Sequence, residues 1–282
     1  MHSYDLNLNL ENLSKIEGQA DLDIEIKNGQ VENVNLRVME NKRFYTEAVQ
    51  GKPAVSVPQL VSRICGTCSV AHLTGCIEAV EKTLDIKPSE QTRIMRKLMM
   101  YSLMIRDHAL HLYFFVLPDL FGVDSILELA DKEKELVHEA LHVKEAGNNL
   151  STLIAGRAVH APYEQVGGFS GQVDNSRIPE VVKELKNIRD SIKKLVDIFY
   201  NCEWELERKT NFVGLVTEDF SFLEGKIKSS SGVTIEEKDF WNHLHDVVLP
   251  YSQASGFEFE GQEYMVGSLA RINLNADALH NH

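Results

Sequence analysis

Chemistry in this sequence concentrates in Arg63-Ile64-Cys65-Gly66-Thr67-Cys68-Ser69-Val70-Ala71-His72. Two thiols three residues apart can converge on one metal, and Gly66 removes a Cβ from the turn between them. Thiolates are soft ligands that select zinc, copper(I), iron–sulfur clusters or nickel-type centres. Arg63 can favour the thiolate form electrostatically. His72 can ligate a metal or donate a hydrogen bond to a thiolate. The spacing alone leaves three readings open. The pair is half of a zinc site that Cys76 and His72 would complete, a redox pair, or a chance pairing. A thioredoxin-like pair wants a βαβ context, and the helical pattern that follows argues against it. Cys76 and Cys202 read as small core hydrophobes.

Strands come first in the chain that must position this motif. Leu6, Leu8 and Leu10 alternate with polar residues, and so do Leu22, Ile24 and Ile26. That is the period of a half-buried strand. Asn28-Gly29 is a hairpin signal, with Val34, Leu36 and Val38 on the return strand, so a small antiparallel sheet is expected over about residues 5–40. From Pro58 the period is helical. Ile94, Leu98, Tyr101, Ile105, His108, Leu112 and Phe115 mark one face of a long helix that Pro118 should stop. Leu129, Leu136, Ala140 and Val143 predict a second helix running to Ala155, and Val181, Leu185, Ile188, Ile192, Leu195 and Phe199 a third from Pro179 to Thr210. Phe220–Gly232 reads as a loop. The expectation is one α+β domain over residues 1–282, with a small N-terminal antiparallel β-sheet packed on a dominant long-helix bundle.

Composition limits the partners. With 29 basic and 42 acidic residues among 282, the net charge is −13, which argues against nucleic acid. No window approaches 18 consecutive apolar residues, so direct membrane insertion is not expected. The N-terminus lacks a basic segment followed by an apolar run, so it is not read as a secretory signal. Four cysteines are too few for a disulfide scaffold.

The ten-residue string resembles the N-terminal metal-binding motif of nickel–iron hydrogenase large subunits, Arg-x-Cys-Gly-x-Cys-x-x-x-His. Four further segments match in order. Lys15-Ile16-Glu17-Gly18-Gln19 resembles Arg-Ile/Val-Glu-Gly-His, and Arg106-Asp107-His108-Ala109-Leu110-His111-Leu112 resembles Ser-His-x-Leu-His. Gly156-Arg157-Ala158-Val159-His160-Ala161-Pro162 with Gly167-Gly168-Phe169 resembles Gly-Arg-x-x-His-Pro…Gly-Gly. Tyr264-Met265-Val266-Gly267-Ser268-Leu269-Ala270-Arg271 resembles Tyr-x-Val-Gly-Pro-Leu-Ala-Arg.

The resemblance implies reversible heterolytic cleavage of H2 at a nickel–iron centre whose iron carries carbon monoxide and cyanide. It makes Cys65 a terminal nickel thiolate and Cys68 a bridging one. Glu17 becomes the proton relay, and His72 supports a bridging cysteine. His108 and His111 share a helix face and read as structural before they read as a metal pair; for Arg157 and His160, buttress and site wall stay open. The implied partners are an iron–sulfur small subunit plus, through further subunits, NAD(P) or another soluble acceptor, in the cytoplasm.

Three departures stand out. The family's second cysteine pair, in an Asp-Pro-Cys-x-x-Cys-x-x-His segment, is not among these 282 residues, which cover roughly the first two-thirds of such a subunit. These residues alone are therefore expected to be inactive until a segment bearing a second CxxC docks against Cys65 and Cys68. Thr46 stands where the family places an acidic residue near magnesium, with Glu47 beside it. Lys15 and Gln19 alter the surroundings of Glu17. Two other readings remain: a metal-free relative in respiratory complex I, serving as a quinone module, and a zinc-stabilised structural domain.

Overall fold

The computed structural model describes residues 4–40, 43–131 and 133–279. The chain forms two compact units. One gathers the residues up to Gln50, Lys209–Phe220 and those from Glu224 onward; the other holds Gly51–Arg208 and Ser221–Leu223.

In the first unit, Leu6–Leu10, Ala20–Lys27 and Gln30–Val38 form the expected three-stranded antiparallel sheet. Leu6 pairs with Ile26, Leu8 with Ile24 and Leu10 with Leu22. The hairpin turns at Asn28 and Gly29, with φ of 52° and 74°, the double positive φ that a type I′ turn needs. Cross-strand pairing gathers Leu6, Leu8, Leu10, Val34 and Leu36 on one face with Leu22 and Ile24. That face departs from the half-buried expectation, because Leu8 is 37% and Val34 53% exposed. Alternation fixes which residues share a face, but not whether anything covers it.

The same unit holds a four-stranded sheet in the order Tyr264–Met265, Asn211–Val216, Lys226–Ser229, Thr234–Glu236. Lys226–Ser229 falls inside the stretch expected to be a loop. Its short Lys-Ile-Lys-Ser pattern gives little apolar signal, and pairing with Asn211–Val216 makes it a strand. Leu244–Val247 pairs with Gly256–Phe259, and the buried Phe259 ring meets Phe240, His243 and Tyr264.

The second unit is helical. Its main members are Ser69–Leu84, Glu90–Ala109, Lys134–Ala155, Ile178–Asn187 and Arg189–Tyr200. Ser89 caps the Glu90–Ala109 helix by accepting from the Thr92 N–H at 3.2 Å. The Lys134–Ala155 helix ends where expected, with Gly156 left-handed at φ 84°. One core joins Val70, Leu73 and Ile77 to Met99, Leu103, Leu150, Leu153 and Ile154. A second joins Tyr113, Leu117 and Ile126 to Leu136, Ala140, Val143, Ile188 and Leu195.

Three details differ from the sequence expectation. Pro118 does not stop the long helix. The α-helix passes into a π-helical stretch, Leu110–Val116, and then into Leu117–Phe121. Pro118 sits in the first turn of that last helix, where its missing N–H is harmless. The buried face of Glu90–Ala109 is wider than the apolar stripe: Met99, Met100 and Leu103 are buried, and Leu98 and Ile105 of the stripe pack against the cores. Ile94 is 50% exposed, whereas Thr92, Arg96, Ser102 and Arg106 are buried, because each of these polar side chains has partners inside the unit. The third helix is two, breaking at Ile188, and it ends at Tyr200.

Candidate metal centre

The Cys65–Cys68 loop lies between a short helix, Val57–Val61, and the start of Ser69–Leu84. Pro58 in the first turn of the short helix and Cys68 as N-cap of the next confine the loop to a few residues. The thiols converge. The Cys68 N–H donates to Cys65 Sγ at 3.4 Å, and Thr67 Oγ1 lies 3.2 Å from the same sulfur. Burial, and then the neighbouring Cys65 thiol, push the Cys68 thiol up to about 12. A metal must therefore displace the Cys68 proton to bind. None of the four cysteines is in a disulfide, and burial also pushes Cys76 up.

The loop is stapled from both sides. Arg106 is 4% exposed; it donates from Nη2 to the Thr67 carbonyl at 2.9 Å and from Nη1 to the Ala158 carbonyl. His160 Nδ1 lies 2.9 Å from the Ser62 carbonyl, and the His160 N–H donates to Ser69 Oγ at 3.1 Å. Gln59 Nε2 donates to the carbonyls of Ala161 and Glu164 at 3.3 and 3.2 Å. Arg157 Nη2 donates to the His160 carbonyl at 3.2 Å. His160 is thus a buttress beneath the cysteine loop, held at φ 52°.

A buried ionic cluster anchors the helix that follows the motif. Arg96 grips Glu81 with both terminal nitrogens, at 2.8 and 2.7 Å, and its Nε lies 3.3 Å from Glu164. Thr74, one turn and a half into Ser69–Leu84, donates to the Glu164 carboxyl at 3.0–3.1 Å. Burial pushes Glu81 up, but Arg96 and the Gly167 N–H outweigh it and hold that carboxyl below its usual range. Glu164, fully buried and second in line for a guanidinium already engaged, rises to about 7 through burial and the charge of Glu81.

Other residues singled out in the sequence fall as follows. Arg63 is exposed, and His72 is half-buried on the first turn of Ser69–Leu84; the buried guanidinium bonded to the motif is that of Arg106. Glu17 is exposed in the first unit, in the bend before Ala20–Lys27, and Thr46 and Glu47 are exposed on the Arg43–Val49 helix. His111 packs edge-on to Phe115. Among the described residues no three His, Cys, Asp or Glu side chains gather as a metal site, so Cys76 and His72 do not complete a zinc tetrahedron with the pair. Sequence reasoning assigned no role to Arg106, Gln59, Thr74 or Glu164. Buried charge leaves no periodic signal, and only the place of Arg106 at the head of the Arg106–Leu112 segment pointed to it.

A family model described as nickel-dependent hydrogenase matches residues 43–139, a span that contains the cysteine motif and the Arg106 segment. Residues 43–139 are thus similar to the nickel-dependent hydrogenase family. The chain is similar well beyond that span. It is 29% identical to the alpha subunit of sulfhydrogenase 2 of Pyrococcus furiosus, over 96% of this chain and 64% of the relative. It is 27% identical to the alpha subunit of sulfhydrogenase 1 of the same organism, over 98% of this chain and 65% of the relative. Among solved structures, an NAD+-reducing [NiFe]-hydrogenase in its H2-reduced state superposes with a TM-score of 0.80 at 23% identity, covering 96% of this chain and 66% of that one. That likeness establishes a shared hydrogenase large-subunit fold. The chain thus spans just under two-thirds of the length of the two P. furiosus relatives, 64% and 65%.

Proposed function

We propose that this chain contributes Cys65 and Cys68 to the nickel–iron centre of a hydrogenase that reversibly cleaves H2 heterolytically and passes electrons to an iron–sulfur small subunit. The observation that carries the reading is the Cys65–Cys68 loop, in which the Cys68 N–H donates to Cys65 Sγ and which is stapled on both sides, inside the segment that matches the nickel-dependent hydrogenase model. Soft thiolates suit nickel and iron, so the donor set fits the group. When bound, the centre, its iron carrying carbon monoxide and cyanide, supplies Lewis acidity toward H2. Cys65 and Cys68 would hold it through their thiolates. Arg63 and His72 border the bound group, with His72 bracing a cysteine. Glu17 accepts and relays the proton. Two thiolates leave a four-thiolate centre half built, so the second CxxC comes from outside these 282 residues. We read the two units as parts of one large-subunit domain in a cytoplasmic enzyme, with NAD(P)-linked or similar electron-transfer subunits beyond the small subunit.

The intact cysteine pair speaks against the metal-free quinone module. The lack of a third ligand among the described residues speaks against the zinc-stabilised domain. In the assembled enzyme, Cys65→Ser and Cys68→Ser should abolish both nickel retention and hydrogen uptake, because a hydroxyl is a poor substitute for a soft thiolate. Stoichiometric nickel in either variant would overturn the assignment.

A further inference from the structure

Arg106 takes no part in that chemistry, yet its guanidinium is buried against the cysteine loop. It leaves the last turn of Glu90–Ala109. Both of its hydrogen-bond partners are backbone carbonyls: Thr67, between the two cysteines, and Ala158, in the segment that follows Gly156. The titratable groups facing it are the Asp107 carboxyl and the Cys68 and Cys65 thiols. A guanidinium placed in a protein interior gives up favourable hydration, and two carbonyls do not neutralise it. The neighbouring helix makes room for it. A Cβ built on Gly147 would lie 2.9 Å from Arg106 Cβ and from its backbone N, and 3.1 Å from the Ser102 carbonyl. The fold has therefore kept both a buried charge and a mid-helix glycine at this point, each unfavourable by itself.

We propose that Arg106 is a positioning residue: its planar fork ties the loop between Cys65 and Cys68 to the Ala158 carbonyl, and so holds the two thiols at the separation a shared soft metal needs. This rests on the two-thiolate reading of the site. The fork geometry matters, since a guanidinium can serve two carbonyls in fixed directions and a lysine ammonium cannot do so with the same rigidity. The positive charge matters as well, since two thiolates bring negative charge into the loop when a metal is taken up.

The test compares Arg106→Gln and Arg106→Lys with the wild-type 282-residue chain, by amide hydrogen exchange and by cobalt(II) titration. Exchange reads local opening. In Arg106→Gln the amides of Cys65–Ser69 and Ala158–His160 should exchange about tenfold faster or more, while those of Arg189–Tyr200 stay within about twofold. The cobalt–thiolate charge-transfer band should need about tenfold more cobalt(II) to develop, with Arg106→Lys intermediate because it keeps the charge and one carbonyl. Cys65→Ser must remove the band. If the wild-type chain gives no such band, the two-thiolate reading fails, and the exchange comparison alone still decides the clamp. Wild-type exchange in both segments of Arg106→Gln, or acceleration spread evenly over the chain in both variants, overturns the proposal.

Discussion

Glu164 allows a sharp test of the buried cluster. Its carboxyl is fully buried, and its usual value near 4.5 is raised to about 7 by burial and by Glu81, which already holds Arg96 with both oxygens. The folded state thus binds this proton more tightly than the unfolded chain does. The stabilisation is complete below the unfolded value and is lost as pH climbs from about 4.5 through 7. A roughly 300-fold difference in proton affinity corresponds to ~3 kcal/mol at about 1.4 kcal/mol per tenfold. Glu164→Gln keeps the shape and an oxygen for Thr74 but cannot ionise. Relative to wild type it should therefore gain about 3 kcal/mol between pH 5 and pH 8. For a unit of this size that is a melting-temperature difference of about 6–12 °C opening up over that range. Circular dichroism melts of both proteins at half-unit pH intervals measure it. Arg96→Met gives the opposite control: it strands two buried carboxylates and should cost about 3–5 kcal/mol at pH 8. A wild-type-minus-variant difference that stays flat from pH 5 to pH 8 would refute the reasoning about Glu164.

Gly147→Ala should destabilise by about 1–3 kcal/mol, because its methyl group meets the Arg106 backbone at 2.9 Å and overpacking outweighs the gain in helix propensity; urea unfolding reads the sign directly. Tyr113→Phe removes the hydroxyl that donates to the Ser191 carbonyl at 3.1 Å from a fully buried ring. It should cost about 1 kcal/mol with an unchanged urea m-value. If Glu17 relays the proton as proposed, Glu17→Gln in the assembled enzyme should keep the metals while lowering H/D exchange with solvent about 10²–10⁴-fold. Exchange near the wild-type rate would return Glu17 to a solvated bend.

Alternating leucines and the Asn28-Gly29 turn made the three-stranded sheet legible, and the second helix ends at Ala155 as expected. The cysteine pair was equally plain, because CxxC is a local signal that needs no partner elsewhere in the chain. What holds the pair in place was not legible. Arg96, Arg106 and Glu164 look solvated in a linear sequence, and their burial is created by partners 15 to 90 residues away, such as Glu81 and Thr74. The same residues explain the part of the helix face that was missed, since an apolar count cannot see Thr92, Arg96, Ser102 and Arg106 buried beside Met99 and Leu103. Pro118 misled for a different reason: a proline that can end one helix can equally begin the next.

The staples on the cysteine loop span long stretches of chain: 91 residues from Ser69 to His160, 98 from Ser62 to His160 and 105 from Gln59 to Glu164. At about 5–20 residues per second of translation, the motif emerges from the ribosome several seconds ahead of the segment that braces it. During that interval Cys65 and Cys68 sit on a nascent chain without their buttress, open to any oxidant or stray soft cation. The order of synthesis therefore sets a time before which correct metal loading has no scaffold to work on. On the proposed function, assembly of the centre must wait at least until the residues around His160 have left the exit tunnel.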